Sequence, residues 1–146
     1  MLLTCFVCVT LSFADNANMG TWKLNEGKSK LSAGAPKNTT VVYEAAGDSV
    51  KVTVDGVDAA GKPTHNEWTG KFDGKDYPVT GDPASDTRAY KEVDDHNLDM
   101  TVKKGDKVTM TGKISVSKDG KSRTVNVSGT DPAGKKVKAT SVYDKQ

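Results

Sequence analysis

A chain of 146 residues has the length of one domain with a single hydrophobic core. Its 21 basic and 19 acidic residues are interspersed and leave a net charge of +2. No basic run is interleaved with aromatic residues, so nucleic-acid binding, polybasic attachment to a membrane and stable membrane insertion are not indicated.

The first fourteen residues, MLLTCFVCVTLSFA, carry no charged side chain and are too short to cross a bilayer as a helix. They end in Ser12-Phe13-Ala14, with small residues where a signal peptidase requires them. A basic amino-terminal region is missing, which indicates either a start codon placed too late or an atypical leader. We therefore expect residues 1–14 to be a signal peptide that exports the chain to the periplasm or the extracellular space.

Both cysteines, Cys5 and Cys8, lie in this leader and would be removed with it. Their C-x-x-C spacing is therefore not interpreted as a redox or metal pair. The mature chain, expected to be one domain over 15–146, would contain neither a disulfide nor a thiolate metal site.

From residue 20 onward apolar and polar residues alternate with a period of two, interrupted by short turns rich in Gly, Asp and Asn. The alternation predicts ten strands, at 20–25, 39–46, 49–57, 63–72, 75–80, 87–93, 97–103, 107–117, 122–130 and 136–144. Turns this short favour antiparallel hairpins, because parallel strands need long crossovers. The longer segment NEGKSKLSAGAPK predicts a loop with at most one helical turn.

An eleven-residue pattern, V-x-V-x-G-x-D-x-A-G-K, occurs twice, at 52–62 and 125–135. It predicts one hairpin design used in two places. Duplication and convergence on the same turn chemistry both explain the repeat, and no function follows from it.

Each predicted strand has one apolar face, as in Val50, Val52 and Val54. Ten such strands in antiparallel order predict an all-β, up-and-down barrel of about 8–10 strands, with a sandwich or an open half-barrel as the alternative. A closed barrel is favoured because it removes exposed sheet edges.

Gly20-Thr21-Trp22 at the first strand resembles the G-x-W signature of lipocalins and related calycin barrels, which include small exported bacterial proteins. The resemblance implies that Trp22 closes the barrel floor and that an arginine of a late strand stacks across it. Arg123 has that position, and the stack would be a cation–π contact. The chain departs from lipocalins in lacking a long C-terminal helix. It departs from fatty-acid-binding proteins in lacking a helix pair and an Arg-x-Tyr on the last strand.

The interior of such a barrel is predicted to hold a small hydrophobic or amphipathic ligand. The residues expected to line it are Tyr43, Trp68, Phe72, Arg88, Tyr90, Met100 and Met110. Arg88 and Tyr90 share one strand face, and an inward orientation would let them hold a carboxylate. The alternation of Ala89 and Val93 instead favours an outward orientation for the pair, and a one-residue change in register decides between the two.

No catalytic, metal or cofactor site is predicted. His65 and Glu67 share the face opposite Trp68, and His96 lies in a turn beside Asp94 and Asp95. The leading hypothesis is therefore non-enzymatic ligand binding. The alternatives are a structural or interaction module of the cell envelope with a filled core and, third, a calycin-type enzyme. The oligomeric state is left open.

Overall fold

The computed structural model describes residues 16–130 and 134–146. The predicted leader and its cysteines lie outside the described residues. Ten strands follow in chain order: β1 (Gly20–Leu24), β2 (Lys37–Ala46), β3 (Ser49–Val57), β4 (Pro63–Gly70), β5 (Tyr77–Thr80), β6 (Thr87–Glu92), β7 (Asn97–Lys104), β8 (Lys107–Val116), β9 (Ser122–Thr130) and β10 (Lys136–Lys145). One 3₁₀ turn, Glu26–Lys28, lies between β1 and β2, as the sequence predicted for that segment.

Each strand pairs antiparallel with the next one along the chain, and β1 pairs with β10 to close the sheet. The predicted up-and-down barrel is confirmed, and its strand number is ten. Trp22 of β1 lies opposite Lys145 on one side and Val41 on the other. No helix among the described residues is long and apolar enough to cross a membrane.

One end of the barrel is closed by the segment 16–19 and by Trp22, whose side chain is fully buried. The Trp22 indole Nε1 donates to the Asn18 carbonyl oxygen at 2.8 Å. The Ala17 amide donates to the Asp95 carbonyl oxygen of the β6–β7 turn at 2.8 Å. The segment therefore crosses the end of the barrel, from β1 to the turn between β6 and β7.

The first residue of the Gly-Thr-Trp motif has a structural reason to be glycine. Gly20 has a φ of +113°, where a residue with a β-carbon is strained. A β-carbon there would also lie 3.0 Å from Cε of Lys145, on the neighbouring strand β10.

The core is densest near the closed end, where aromatic side chains of β2, β4 and β6 meet Phe72. Toward the open end, the two sides of the barrel differ in burial. Inward side chains of β3 are buried, whereas those of β7–β10 toward the open end are only half-buried. The half-buried inward set is Met100, Val102, Met110, Val125, Val127, Ala139 and Ser141. This side of the barrel is therefore less completely buried than the β3 side.

Candidate ligand site in the barrel interior

Arg88 and Tyr90 of β6 both point into the barrel and are 7% and 2% exposed. They lie opposite Val102 and Met100, which are inward residues of β7. The outward orientation that the alternation favoured is therefore wrong. Val93, expected to fill the core in that case, follows the end of β6 and is 60% exposed.

The Arg88 guanidinium has neutral hydrogen-bond partners. Its Nη1 donates to the Tyr90 hydroxyl at 3.3 Å, and its Nη2 donates to the Asn66 side-chain oxygen at 3.1 Å. The Arg88 carbonyl oxygen accepts from the Trp68 indole at 2.7 Å, which ties β4 to β6. Among the described residues, Arg88 makes no ion pair with a carboxylate.

Arg123 of β9 is also buried, at 3% exposed, but it does not stack on Trp22. Its guanidinium carbon lies 5.1 Å from the ring centroids of both Tyr43 and Tyr143. The cation over the Trp22 ring is Lys145, at 5.2 Å. The strand register explains the difference, because β10 places Tyr143 opposite Arg123 and places Lys145 opposite Trp22.

One donor of the Arg123 guanidinium has no acceptor. Nη2 donates to the Tyr43 hydroxyl at 2.5 Å, and Nε donates to the Asn18 side-chain oxygen at 3.2 Å. Nη1 is buried and has no hydrogen-bond partner among the described residues. A buried donor without an acceptor loses its hydration without compensation, at a cost of about 1–3 kcal/mol or more for a charged group.

The tyrosines around Arg123 do not neutralise its charge. Burial raises the pKa of Tyr43 far above its ordinary value, although the nearby Arg123 opposes that shift. Burial likewise raises the pKa of Tyr143. Both side chains are therefore neutral phenols at physiological pH, and the Tyr143 hydroxyl donates its proton to the Asn38 carbonyl oxygen at 2.9 Å.

The remaining residues predicted to bind ligand divide into two groups. Trp68 and Phe72 are buried in the aromatic cluster with Tyr90, and the Trp68 and Tyr90 rings meet edge to face at 4.7 Å. They form a packed wall beside Arg88. Met100 and Met110 are half-buried on the facing strands β7 and β8, toward the open end.

Two polar contributors to the site were not predicted from the sequence. Asn66 lies two residues before Trp68 on the same strand face, so the alternation could have identified it. Asn18 precedes the first strand, where no periodic pattern assigns a direction. Asn18 is nevertheless fully buried and hydrogen-bonded to Arg123.

The histidines lie away from this interior. His65 faces outward, as predicted, with its Nδ1 at 2.6 Å from an Asp55 carboxylate oxygen and its Nε2 at 3.5 Å from Glu67. The hydrogen bond to Asp55 raises the pKa of His65. His96 lies 2.9 Å from the Asp95 carboxylate in the β6–β7 turn.

No protein-family model and no curated protein matches the chain. Among solved structures, the chain is similar to EF1p2_mFAP2b bound to DFHBI. The identity is 11% and the TM-score is 0.50, over 92% of this chain and 100% of that chain. At this identity the likeness shows the fold alone.

Proposed function

We propose that this protein binds, without catalysis, a small amphipathic molecule with an anionic head inside the barrel. One observation carries the proposal. Two guanidinium groups, Arg88 and Arg123, are buried in the interior, and neither has a carboxylate partner among the described residues.

A buried charge that has no counter-charge within ion-pair distance is costly. The desolvation penalty is on the order of several kcal/mol per ion, even after relaxation of the protein. A carboxylate or similar anion would reduce it through charge-assisted hydrogen bonds from the guanidinium groups. Arg123 Nη1 has no acceptor among the described residues. The Tyr43 and Tyr90 rings lie 6.3 Å apart, and their hydroxyls contact Arg123 and Arg88 respectively.

The apolar part of the ligand would occupy the open end of the barrel. Met100, Met110, Val102 and Val127 are half-buried, and their inward side chains would contact that part of the ligand. Small-molecule sites commonly combine such a wall with a few convergent polar groups. The similar barrel of EF1p2_mFAP2b, solved bound to DFHBI, supports a ligand-binding role for this architecture.

Calorimetric titration with decanoate and decanol tests the proposal, because the two probes share an alkyl chain and differ in charge. We expect the protein to bind decanoate more tightly than decanol by about tenfold or more, as a charged hydrogen bond contributes about 1.5–3 kcal/mol. Arg88→Gln should remove most of that preference, because the amide keeps polar contact with Tyr90 and Asn66 but carries no charge.

Lys51→Gln is the matched control, since it removes one positive charge from the outer surface. It should leave the preference for decanoate unchanged. Failure of both probes to bind would overturn the proposed function. Equal affinity for decanoate and decanol would support ligand binding in the barrel. It would contradict the proposed preference for an anionic head group.

We also propose that the protein is exported, on the strength of the apolar segment before Asp15. N-terminal sequencing of protein recovered outside the cytoplasm should begin near Asp15. Recovery only from the cytoplasm, with residues 1–14 retained, would contradict export.

A further inference from the structure

The outer surface of β7–β10 carries a depression of about 770 Å³. The cross-strand register identifies its two sides as rows of outward side chains. One row includes Lys113, Asn126, Thr140 and Lys30. The other includes Thr111, Ser128 and Lys138. The backbone between the two rows forms the floor, and the depression is therefore a groove across the strands on the outside of the barrel.

A smaller depression of about 360 Å³ lies beside the groove and shares its second row. It extends the polar surface to Lys136 on β10. Together the two depressions form one continuous face, here called the outer groove.

The outer groove is positively charged. Lys30, Lys113, Lys136 and Lys138 are exposed, and none makes an ion pair within the part of the chain that the structure describes. Asp99 is the one acidic residue among the described residues that line the groove. This face therefore carries more positive charge than the net +2 of the whole chain.

Some lysines elsewhere on the barrel are paired with carboxylates. Lys51 lies 3.3 Å from Glu67, and Lys71 lies 3.4 Å from Asp48, both on the side of the barrel that includes β3 and β4. These two lysines therefore differ from the four groove lysines in having a carboxylate partner.

Hydroxyl and amide groups fill the space between these charges. The Thr140 hydroxyl donates to the Asn126 side-chain oxygen at 2.8 Å, and the Thr111 and Ser128 hydroxyls lie 3.5 Å apart. Adjacent strands are about 4.8 Å apart, so such groups recur at regular intervals along the groove. They can exchange hydrogen bonds with the hydroxyls of a sugar chain.

We propose that the outer groove binds an acidic polysaccharide, whose carboxylates contact the lysines and whose hydroxyls contact the Thr, Ser and Asn side chains. Single-stranded nucleic acids are bound by stacking of their bases on aromatic side chains. No aromatic residue is among the described residues that line the groove, so a polysaccharide fits better than a nucleic acid. The inference is independent of the interior ligand.

Affinity electrophoresis of the full chain through gels containing polygalacturonate tests this proposal. We expect Lys113→Gln/Lys138→Gln to weaken retention by about tenfold, since two surface ion pairs with the polymer are lost. Added salt should weaken retention of the wild type more than that of the double variant. Dextran, a neutral polymer, should not retain the protein.

Lys51→Gln/Lys71→Gln is the matched control, because it removes the same charge from the opposite side of the barrel. Its retention by polygalacturonate should stay within about twofold of the wild type, as expected for ion pairs outside the contact. Equal loss in both double variants, or no retention of the wild type, would overturn the proposal. Tighter binding of oligo-dT than of polygalacturonate would overturn it in favour of nucleic acid.

Discussion

Two hairpins of the barrel are built on the same eleven-residue pattern, yet they pack differently. In β3, Val52 is fully buried and Val54 is 6% exposed. In β9, the equivalent residues Val125 and Val127 point inward but are only half-buried. The same local sequence therefore produces the same strand direction and face, with a different degree of burial.

The difference comes from the neighbouring strands. Val54, the equivalent of Val127, lies between Val41 and Asn66, which carry larger side chains. Val127 lies between Gly112 and Ala139, which offer little side-chain volume. Burial is thus a property of the cross-strand neighbours and not of the hairpin itself. The β9 side is left with the apolar surface that we assign to a ligand.

The largest effect on stability is expected at the closed end. Trp22 there lies on β1, which pairs with β2 and β10, the strands next to β3 and β9. Trp22→Ala should lower the free energy of unfolding by about 3–5 kcal/mol, because it removes a fully buried indole and leaves a cavity. Urea denaturation followed by far-UV circular dichroism measures the change. An unchanged denaturation midpoint would contradict the role of Trp22 as a plug.

Alanine at the two equivalent valines tests the comparison directly. Val54→Ala should cost about 2 kcal/mol, since two buried methyl groups are lost and a small cavity forms. Val127→Ala should cost less than about 1 kcal/mol, because that residue is only half-buried. Equal losses in urea denaturation would show that the β9 side is packed as tightly as the β3 side.

The affinity for decanoate should also distinguish the same two variants. A ligand that covers the inner surface of β9 makes Val127 a buried contact, so Val127→Ala should weaken decanoate binding by about threefold or more. Val54→Ala, measured by the same calorimetric titration, should bind nearly as the wild type does. A larger loss of decanoate affinity in Val54→Ala than in Val127→Ala would contradict a ligand position against β9.

The smallest effect concerns the paired charges on the outside of β3 and β4. Asp55→Asn should lower the pKa of His65 toward its ordinary value, because the hydrogen bond to Asp55 is the main cause of the raised pKa. Asp48→Asn makes the same charge change, but Asp48 pairs with Lys71 and not with His65. This variant should therefore leave the pKa of His65 unaltered. Proton NMR of the imidazole resonances measures both.

The sign of the corresponding pH dependence follows from the raised pKa. Any stability that His65 contributes is present below the pKa of the unfolded chain and is lost as the pH rises through the higher folded pKa. Asp55→Asn should therefore flatten the stability profile in that window. A profile identical to that of the wild type would show that this exposed cluster contributes nothing.

The sequence predicted most of the fold because strands and turns are local features. All ten predicted strands match the observed ones within two residues at each end. The 3₁₀ turn between β1 and β2 was also expected. The period of two also identified Tyr43, Trp68 and Met100 as inward residues, because a strand places alternate side chains on opposite faces.

The sequence did not determine which way β6 faces or what Arg123 contacts. Ala89 is buried even though Arg88 and Tyr90 point inward, so both orientations of this strand fit an apolar pattern. Only the pairing of β6 with β7 decided between them, since register depends on the neighbouring strand. The partners of Arg123 likewise depend on β2 and β10, which lie far away along the chain.

Alternation and turn chemistry by themselves predicted the strand positions, the antiparallel order and the apolar face of most strands, and a barrel of about 8–10 strands. Closure of the barrel decided the rest. It placed two arginines in one interior and left Arg123 Nη1 without an acceptor in the part of the chain that the structure describes. It also aligned outward lysines of β8 and β10 with Lys30 across a groove. These arrangements join residues that are distant in sequence, and their energies depend on burial and on neighbours that only the folded chain brings together.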